Sequence, residues 1–194
     1  MSNIALFASG SGSNAENIAS FFSGDPNVSI CCILCNNPNA FVIERAKSLG
    51  IPYHVFTREE LYSSTAVLDL MTQYEIDFII LAGFLWKIPH NLIECFPHRI
   101  INLHPALLPK FGGKGMYGAH VHQAVIEAGE KESGITIHYV DEHYDEGATI
   151  AQARCPVEEN ETVKSLTAKI HQLEHYHYPR VIQSVITSQK LKKE

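Results

Sequence analysis

"NIALFASGSGSNAENIASFFS", residues 3–23, is an apolar run that ends in small residues, a glycine–serine loop, and a segment with Ile18, Phe21 and Phe22 on one side at helical spacing. A half-buried strand would alternate apolar and polar residues. A continuous run marks a strand covered on both faces, as in a parallel sheet. The same unit recurs outward from this stretch. "VSICCILC" (28–35) is a second buried strand, and "AFVIERAKSLG" (40–50) is a helix that Gly50 closes. "PYHVF" (52–56) is a short strand, "YSSTAVLDLMTQYE" (62–75) a helix, and "IDFIILAG" (76–83) the most apolar strand of the chain. The alternation predicts an α/β fold: a doubly wound, mostly parallel sheet with helices on both faces and a Rossmann-like N-terminal half.

The second half is less regular. "IPHNLIECF" (88–96) reads as a short helix, "RIINLH" (99–104) as a strand, and "AHVHQAVIEAG" (119–129) as a helix after a glycine-rich loop. "GITIHYV" (134–140) and "GATIAQARCPV" (147–157) alternate, and the loop "DEHYDE" between them makes a hairpin-like pair. A long amphipathic helix from about Thr162 to Lys190 follows, with Pro179 expected to interrupt it. No repeat or linker divides the 194 residues. The expectation is one domain, 1–194, with a mononucleotide-binding half (1–100) and a catalytic half (101–194).

Composition narrows the function. At 45% hydrophobic and 19% charged the chain suits one globular core. No apolar run is long enough to span a bilayer, and "MSNIALFASGSGSN" lacks the regions of a secretory signal, so a cytoplasmic protein is expected. The net charge of −6, with basic residues clustered only in the terminal "KLKKE", argues against a nucleic acid partner. Five cysteines include the Cys32–Cys35 CxxC, a candidate redox pair or half zinc site. No second CxxC or His pair follows at zinc-finger spacing, so these read as reduced core residues.

Two stretches carry chemistry. In "ASGSGSNAEN" (8–17), Gly10, Gly12 and Ala15 fit the loose G-x-G-x-x-G/A pattern, in which backbone amides and a helix N-terminus face an anion. A dinucleotide site needs an acid at the end of the second strand, and "CNNPN" has none. A mononucleotide phosphate, with Ser13 and Asn14 as added donors, is favoured over a tight turn without ligand. In "INLHPALLPKFGGKGMYG" (101–118), Asn102 and His104 are two apart on a strand and project to one face at its carboxyl end. An amide donor stabilises an oxyanion while an imidazole gives or takes a proton. The alternative is a pair that only satisfies loop backbone. A carboxylate from Asp141, Glu142, Asp145 or Glu146 facing His104 is expected to raise its pKa and fix its tautomer.

"NLHPALLPKFGG" resembles the Asn-x-His-Pro-Ser/Ala-Leu-Leu-Pro signature of folate-dependent formyltransferases. "SGSGSN", "LAGFLWKI", "GITIHYVDEHYDEG" and "QLEHYHYP" stand in the order of that family, from Ile4 to Pro179. The resemblance implies transfer of a formyl group from 10-formyltetrahydrofolate, the donor cosubstrate, to the amine of 5-phosphoribosylglycinamide in purine synthesis, without metal. It implies that Asn102 holds the formyl oxygen, that His104 is a general acid toward the tetrahedral intermediate, and that Asp145 tunes His104 and moves protons. It implies Gly12, Ser13 and Asn14 at the substrate phosphate, and Glu174 and His171 at its ribose. His171 stands where a glutamine is often found. For the folate it implies Leu85, Trp86, Lys87 and Ile88 together with Asn102, Asp141, Glu142, His143, Tyr144 and Asp145, with Arg58 reaching the glutamate tail. The partners expected are small molecules, with no nucleic acid or membrane, for a monomer or homodimer.

Three other readings compete. "HQLEH" (171–175) is formally the inverted zinc-hydrolase motif, which lacks a third ligand at recognisable spacing. A formyltetrahydrofolate hydrolase shares the Asn-His-Asp core but usually carries a regulatory domain before it, whereas the first strand here begins at residue 3 or 4. A tRNA formyltransferase needs a basic RNA-binding domain.

Overall fold

The structure, a computed structural model, describes residues 1–191; Lys192, Lys193 and Glu194 of the basic end lie outside the described residues. Seven strands form one sheet in the order β3-β2-β1-β4-β5-β6-β7, mostly parallel, with helices in the connections, as the sequence led us to expect. The strands are β1 (Ser2–Ala8), β2 (Val28–Cys35), β3 (Tyr53–Val55), β4 (Phe78–Leu81), β5 (Ile100–His104), β6 (Glu132–Tyr139) and β7 (Thr149–Pro156). The helices are α1 (Ser13–Phe21), α2 (Val42–Leu49), α3 (Arg58–Tyr62), α4 (Ala66–Gln73), α5 (His90–Cys95), α6 (Ala119–Glu127) and α7 (Val163–Leu191). The chain divides into two compact units, residues 1–101 and 102–194.

In the first unit β1 pairs in parallel with β2 on one side and β4 on the other, and β2 pairs with β3. Strand order therefore reverses beside β1, the switch point at which α/β sheets collect ligands. Ile4, Leu6 and Phe7 are wholly buried. Burial of each such side chain contributes about 1.5–3 kcal/mol, which explains why β1 is apolar on both faces. Cys32 and Cys35 are buried with free thiols. Burial, with Cys31 beside it, pushes the Cys32 thiol up to about 12, so it is an inert core group.

The helix expected over 62–75 starts only at Ala66, as α4, and a short helix that was not expected, α3, precedes it. Thr57 and Glu60 form a capping box that starts α3, and Ser63–Thr65 separate it from α4. The Ser64 hydroxyl donates to the Glu60 carbonyl and Thr65 bonds Asp69, so the polar run turns the chain instead of continuing the helix.

In the second unit β6 and β7 pair antiparallel, closing the expected hairpin. Helix α7 runs unbroken through Pro179, contrary to the expected interruption. Tyr178, Ile182, Val185 and Ile186 are buried on either side of the proline, and this packing outweighs the single missing N–H donor. No helix among the described residues is long and apolar enough to cross a membrane.

Candidate active site

The strand β5 ends on Asn102 and His104, and the β6–β7 loop brings Asp145 to them. Asp145 has φ 58°, a left-handed conformation that Asp tolerates better than most residues. Its Oδ2 lies 3.4 Å from Nδ1 of His104, and its Oδ1 lies 3.5 Å from Nδ2 of Asn102. His104 is 3% exposed. Of the four loop acids proposed for this role, Asp145 is the one that faces the imidazole, whereas Asp141 accepts from the His143 amide at 2.8 Å.

A fourth side chain completes the cluster and was missed in the sequence. His138, buried on β6, accepts from Asn102 Nδ2 at 3.1 Å through Nε2, while its Nδ1–H donates to the Tyr139 carbonyl at 2.9 Å. The carbonyl only accepts, so Nδ1 bears a proton and the neutral ring offers its Nε2 lone pair to the amide. The signal was the alternation in "ITIHY". Thr136 and His138 are polar, share a face and are both buried, so each needs a partner. Thr136 finds one by donating to the Ala106 carbonyl at 2.7 Å and accepting from the Leu108 amide at 3.0 Å, which pins the loop that follows His104.

The glycine loop closes on the same pair. His104 Nε2 donates to the Phe111 carbonyl at 2.7 Å, and the Gly113 amide donates to Asp145 Oδ2 at 2.9 Å. Beyond these atoms opens a cavity of about 450 Å³, lined by Leu108, Gly112, Gly113, Tyr144, Asp145 and Thr149 among others.

The electrostatics differ from expectation. Burial lowers the pKa of His104 and outweighs the Asp145 charge and the Phe111 hydrogen bond, which both raise it. A facing carboxylate was expected to raise it; desolvation of a ring this enclosed is the larger effect. His104 is therefore mainly neutral near pH 7. Burial also opposes ionisation of Asp145, but the neighbouring imidazoles of His138 and His104 and the Gly113 amide together hold its carboxyl below the ordinary range. An ionised carboxylate thus faces a neutral imidazole, a couple ready to accept a proton.

In the first unit, the loop after β1 turns at Gly12, whose φ of 74° is left-handed. A Cβ there would lie 2.4 Å from Val42 Cγ2, so only glycine fits. Gly12 caps α1 without a side-chain hydrogen bond, leaving Ser13 and Asn14 in the first turn. Arg45 reaches the same turn, donating through Nε to the Ser11 carbonyl at 2.9 Å and pairing with Glu16. That pairing offsets an acid which would oppose an anion at the helix end.

Also in this unit, the Leu85 amide donates to Ser9 Oγ at 2.9 Å, while its side chain is exposed. Trp86 packs edge-on against Phe56, Ile88 is buried, and the Lys87 carbonyl accepts from the Tyr62 hydroxyl at 2.7 Å. Arg58 lies over the rings of Tyr62 and Trp86, at 5.2 and 5.6 Å from their centroids. In the second unit Glu174 is buried on α7, and the exposed His171 stacks on His175. No group of three or more His, Cys, Asp or Glu arranged to hold a metal ion occurs among the described residues, so "HQLEH" has no third ligand there. Glu142, His143 and Tyr144 are exposed on the β6–β7 loop.

Residues 2–182 match the family model described as formyl transferase. The chain is 40% identical over 188 residues to the chloroplastic phosphoribosylglycinamide formyltransferase of Arabidopsis thaliana, covering 94% of this chain and 64% of that protein. It is 36% identical over 191 residues to the phosphoribosylglycinamide formyltransferase of Bacillus subtilis, covering 96% and 95%. The chain thus spans slightly less than two thirds of the length of the plant relative, and 60% of that of Vigna unguiculata. Among solved structures, the phosphoribosylglycinamide formyltransferase of Anaplasma phagocytophilum superposes with a TM-score of 0.87 at 34% identity, covering 96% of this chain and 88% of that one. Glycinamide ribonucleotide transformylase 1 of Geobacillus kaustophilus gives 0.86 at 36% identity, covering 96% and 99%. With a match over nearly its whole length, an Asn-His-Asp cluster around a buried histidine at the end of β5, and a glycine turn after β1, this chain belongs to the formyl transferase family.

Proposed function

We propose that the protein transfers the formyl group of 10-formyltetrahydrofolate to the amine of 5-phosphoribosylglycinamide, a step of purine synthesis. The observation that carries this reading is the cluster of Asn102, His104, His138 and Asp145, which combines an amide donor with a proton-accepting couple whose carboxylate lines the cavity. The named relatives at 36–40% identity supply the substrates.

In this reading the substrate amine attacks the formyl carbon and the carbonyl electrons move to oxygen. Asn102 Nδ2 leaves His138 to donate to that oxyanion. The amine proton passes to the His104–Asp145 couple and then to the leaving nitrogen of the folate as its bond to carbon breaks. His104 so acts first as base and only then as the general acid that the family resemblance implies, which suits its lowered pKa. The turn at Gly12 with Ser13 and Asn14 takes the phosphate, and Glu174 with His171 the ribose. The pterin lies along the backbone of Leu85, Trp86, Lys87 and Ile88 and of the loop from Asp141 through Glu142, His143 and Tyr144 to Asp145, with Arg58 toward the glutamate tail. The reading describes a single 194-residue domain of the cytoplasm acting as a monomer or homodimer on small molecules. The net charge of −6 supports the absence of a polyanionic partner.

The test is an assay with 10-formyltetrahydrofolate with and without the ribonucleotide. Formylation that requires the ribonucleotide is expected. Equal folate turnover without it would make the protein a formyltetrahydrofolate hydrolase.

A further inference from the structure

We propose that the backbone carbonyl of Phe111, not the carboxylate of Asp145, sets the tautomer of His104, so that Nε2 keeps its proton and Nδ1 is the nitrogen that exchanges a proton in the reaction. The role in turnover rests on the formyl-transfer reading above; the tautomer assignment does not.

The two neighbours of the ring are unequal. The Phe111 carbonyl is 2.7 Å from Nε2, a short hydrogen bond, whereas Asp145 Oδ2 is 3.4 Å from Nδ1, beyond a good one. A carbonyl oxygen has no proton to give, so Nε2 must be the donor. The second proton of the ring, when present, sits on Nδ1 against Asp145. Asp145 lines the cavity of about 450 Å³, so the exchangeable proton lies on the side where substrate has room. The bond on one ring nitrogen then defines what the other can do, the usual way a histidine is committed to one proton-transfer direction. During transfer Nδ1 and Oδ2 accept one proton from the attacking amine as the new carbon–nitrogen bond forms. The same proton goes to the leaving nitrogen as the old bond breaks, so the couple ends as it began.

The chain maintains this geometry at evident cost. Phe111 holds φ 57°, a left-handed conformation that an aromatic residue seldom adopts, and that geometry aims its carbonyl back at His104. A side chain on the next residue would have to displace its neighbours: a Cβ on Gly112 would lie 2.6 Å from Leu108 Cδ2 and 3.4 Å from Asp145 Cβ. Gly113 follows at φ 97° and donates to Asp145 Oδ2 at 2.9 Å. Phe111 and Gly113 thus hold the two members of the proton couple by their backbone, both at positive φ, and a side chain on Gly112 between them would press on Leu108 and Asp145. Strain that persists beside reacting groups marks a positioning device. Phe111 and Gly113 are positioning residues, and their side chains are not the acting groups.

The experiment is nitrogen NMR of protein labelled in its histidine rings, with the His104 resonances assigned by their loss in His104→Ala. Wild type is expected to show neutral His104 with the proton on Nε2 and a bare Nδ1. In Gly112→Ala the displaced turn should remove that pattern and lower kcat on the order of a hundredfold, with ribonucleotide KM little changed. Adding Leu108→Ala to Gly112→Ala removes the atom that the new methyl strikes, and should restore the wild-type spectrum and most of the turnover. A wild-type spectrum with the proton on Nδ1 would overturn the proposal, as would a folded Gly112→Ala protein that loses the Nε2 pattern yet keeps full kcat. Should Gly112→Ala fail to fold, the wild-type spectrum decides. An Nε2–H His104 in a protein that does not formylate the ribonucleotide would leave the tautomer assignment standing and remove the substrate instead.

Discussion

Asp145 Oδ2 stands 3.4 Å from His104 Nδ1 and accepts from the Gly113 amide at 2.9 Å, so one carboxylate oxygen ties the strand-end histidine to the glycine loop. The other oxygen faces Asn102 and His138 at 3.5 and 3.6 Å. Four groups from three segments of the chain therefore share one carboxylate, and most of what can be tested concerns its loss.

Asp145→Asn should keep the fold and lose the reaction. Asn tolerates the left-handed conformation at position 145 and retains the shape of the side chain, but it brings no negative charge to His104. A fall in kcat of roughly 10²-fold or more is expected with an unchanged melting temperature. Asp145→Ala should lose stability as well, because alanine is strained at φ 58°.

His104→Ala removes the proton-transfer group. Turnover should fall by about 10²- to 10⁴-fold while calorimetry finds ribonucleotide binding retained. Near-normal turnover would remove His104 from the mechanism.

Gly12→Ala tests the first loop. The added methyl would lie 2.4 Å from Val42 Cγ2 and 2.9 Å from Val42 Cα, at a φ of 74°. A loss of about 1–3 kcal/mol in urea unfolding is expected, with weakened ribonucleotide binding. Trimming Val42 should rescue little, since its backbone is also in the way.

Stability should fall below neutral pH because of His122. Burial, followed by the charges of His171 and His104, lowers this imidazole from 6.5 to about 4. Its Nδ1 is buried without a hydrogen-bond partner, so the ring is held neutral. As pH falls, the unfolded chain takes up the proton first. The stabilisation is complete above pH 6.5 and is lost progressively as pH falls toward 4, to at most roughly 3 kcal/mol. His122→Leu should flatten the difference in urea midpoint between pH 7 and pH 5. An unchanged difference would assign the slope to His104, the other imidazole whose pKa burial lowers.

Much was legible in the order of residues alone. Continuous apolar runs disclosed the parallel strands because a strand buried on both faces has no polar side to show. The period of two put Asn102 and His104 on one face, and Gly12 marked the turn because only glycine accepts its left-handed conformation beside Val42. The failures were local contests. A Ser-Ser-Thr run delayed the start of one helix to Ala66, the capping box at Thr57 started a short helix before it that was not expected, and buried neighbours carried another through Pro179.

Order along the chain determined the strands, the strand-end pair and the glycine turn, since each depends on periodicity or on a single residue's backbone freedom. Tertiary structure decided which acid of "DEHYDE" reached His104, that His138 joined it, and that the Phe111 carbonyl took Nε2. It also decided the direction of the His104 pKa, because desolvation and charge pull oppositely and only the depth of burial says which is larger.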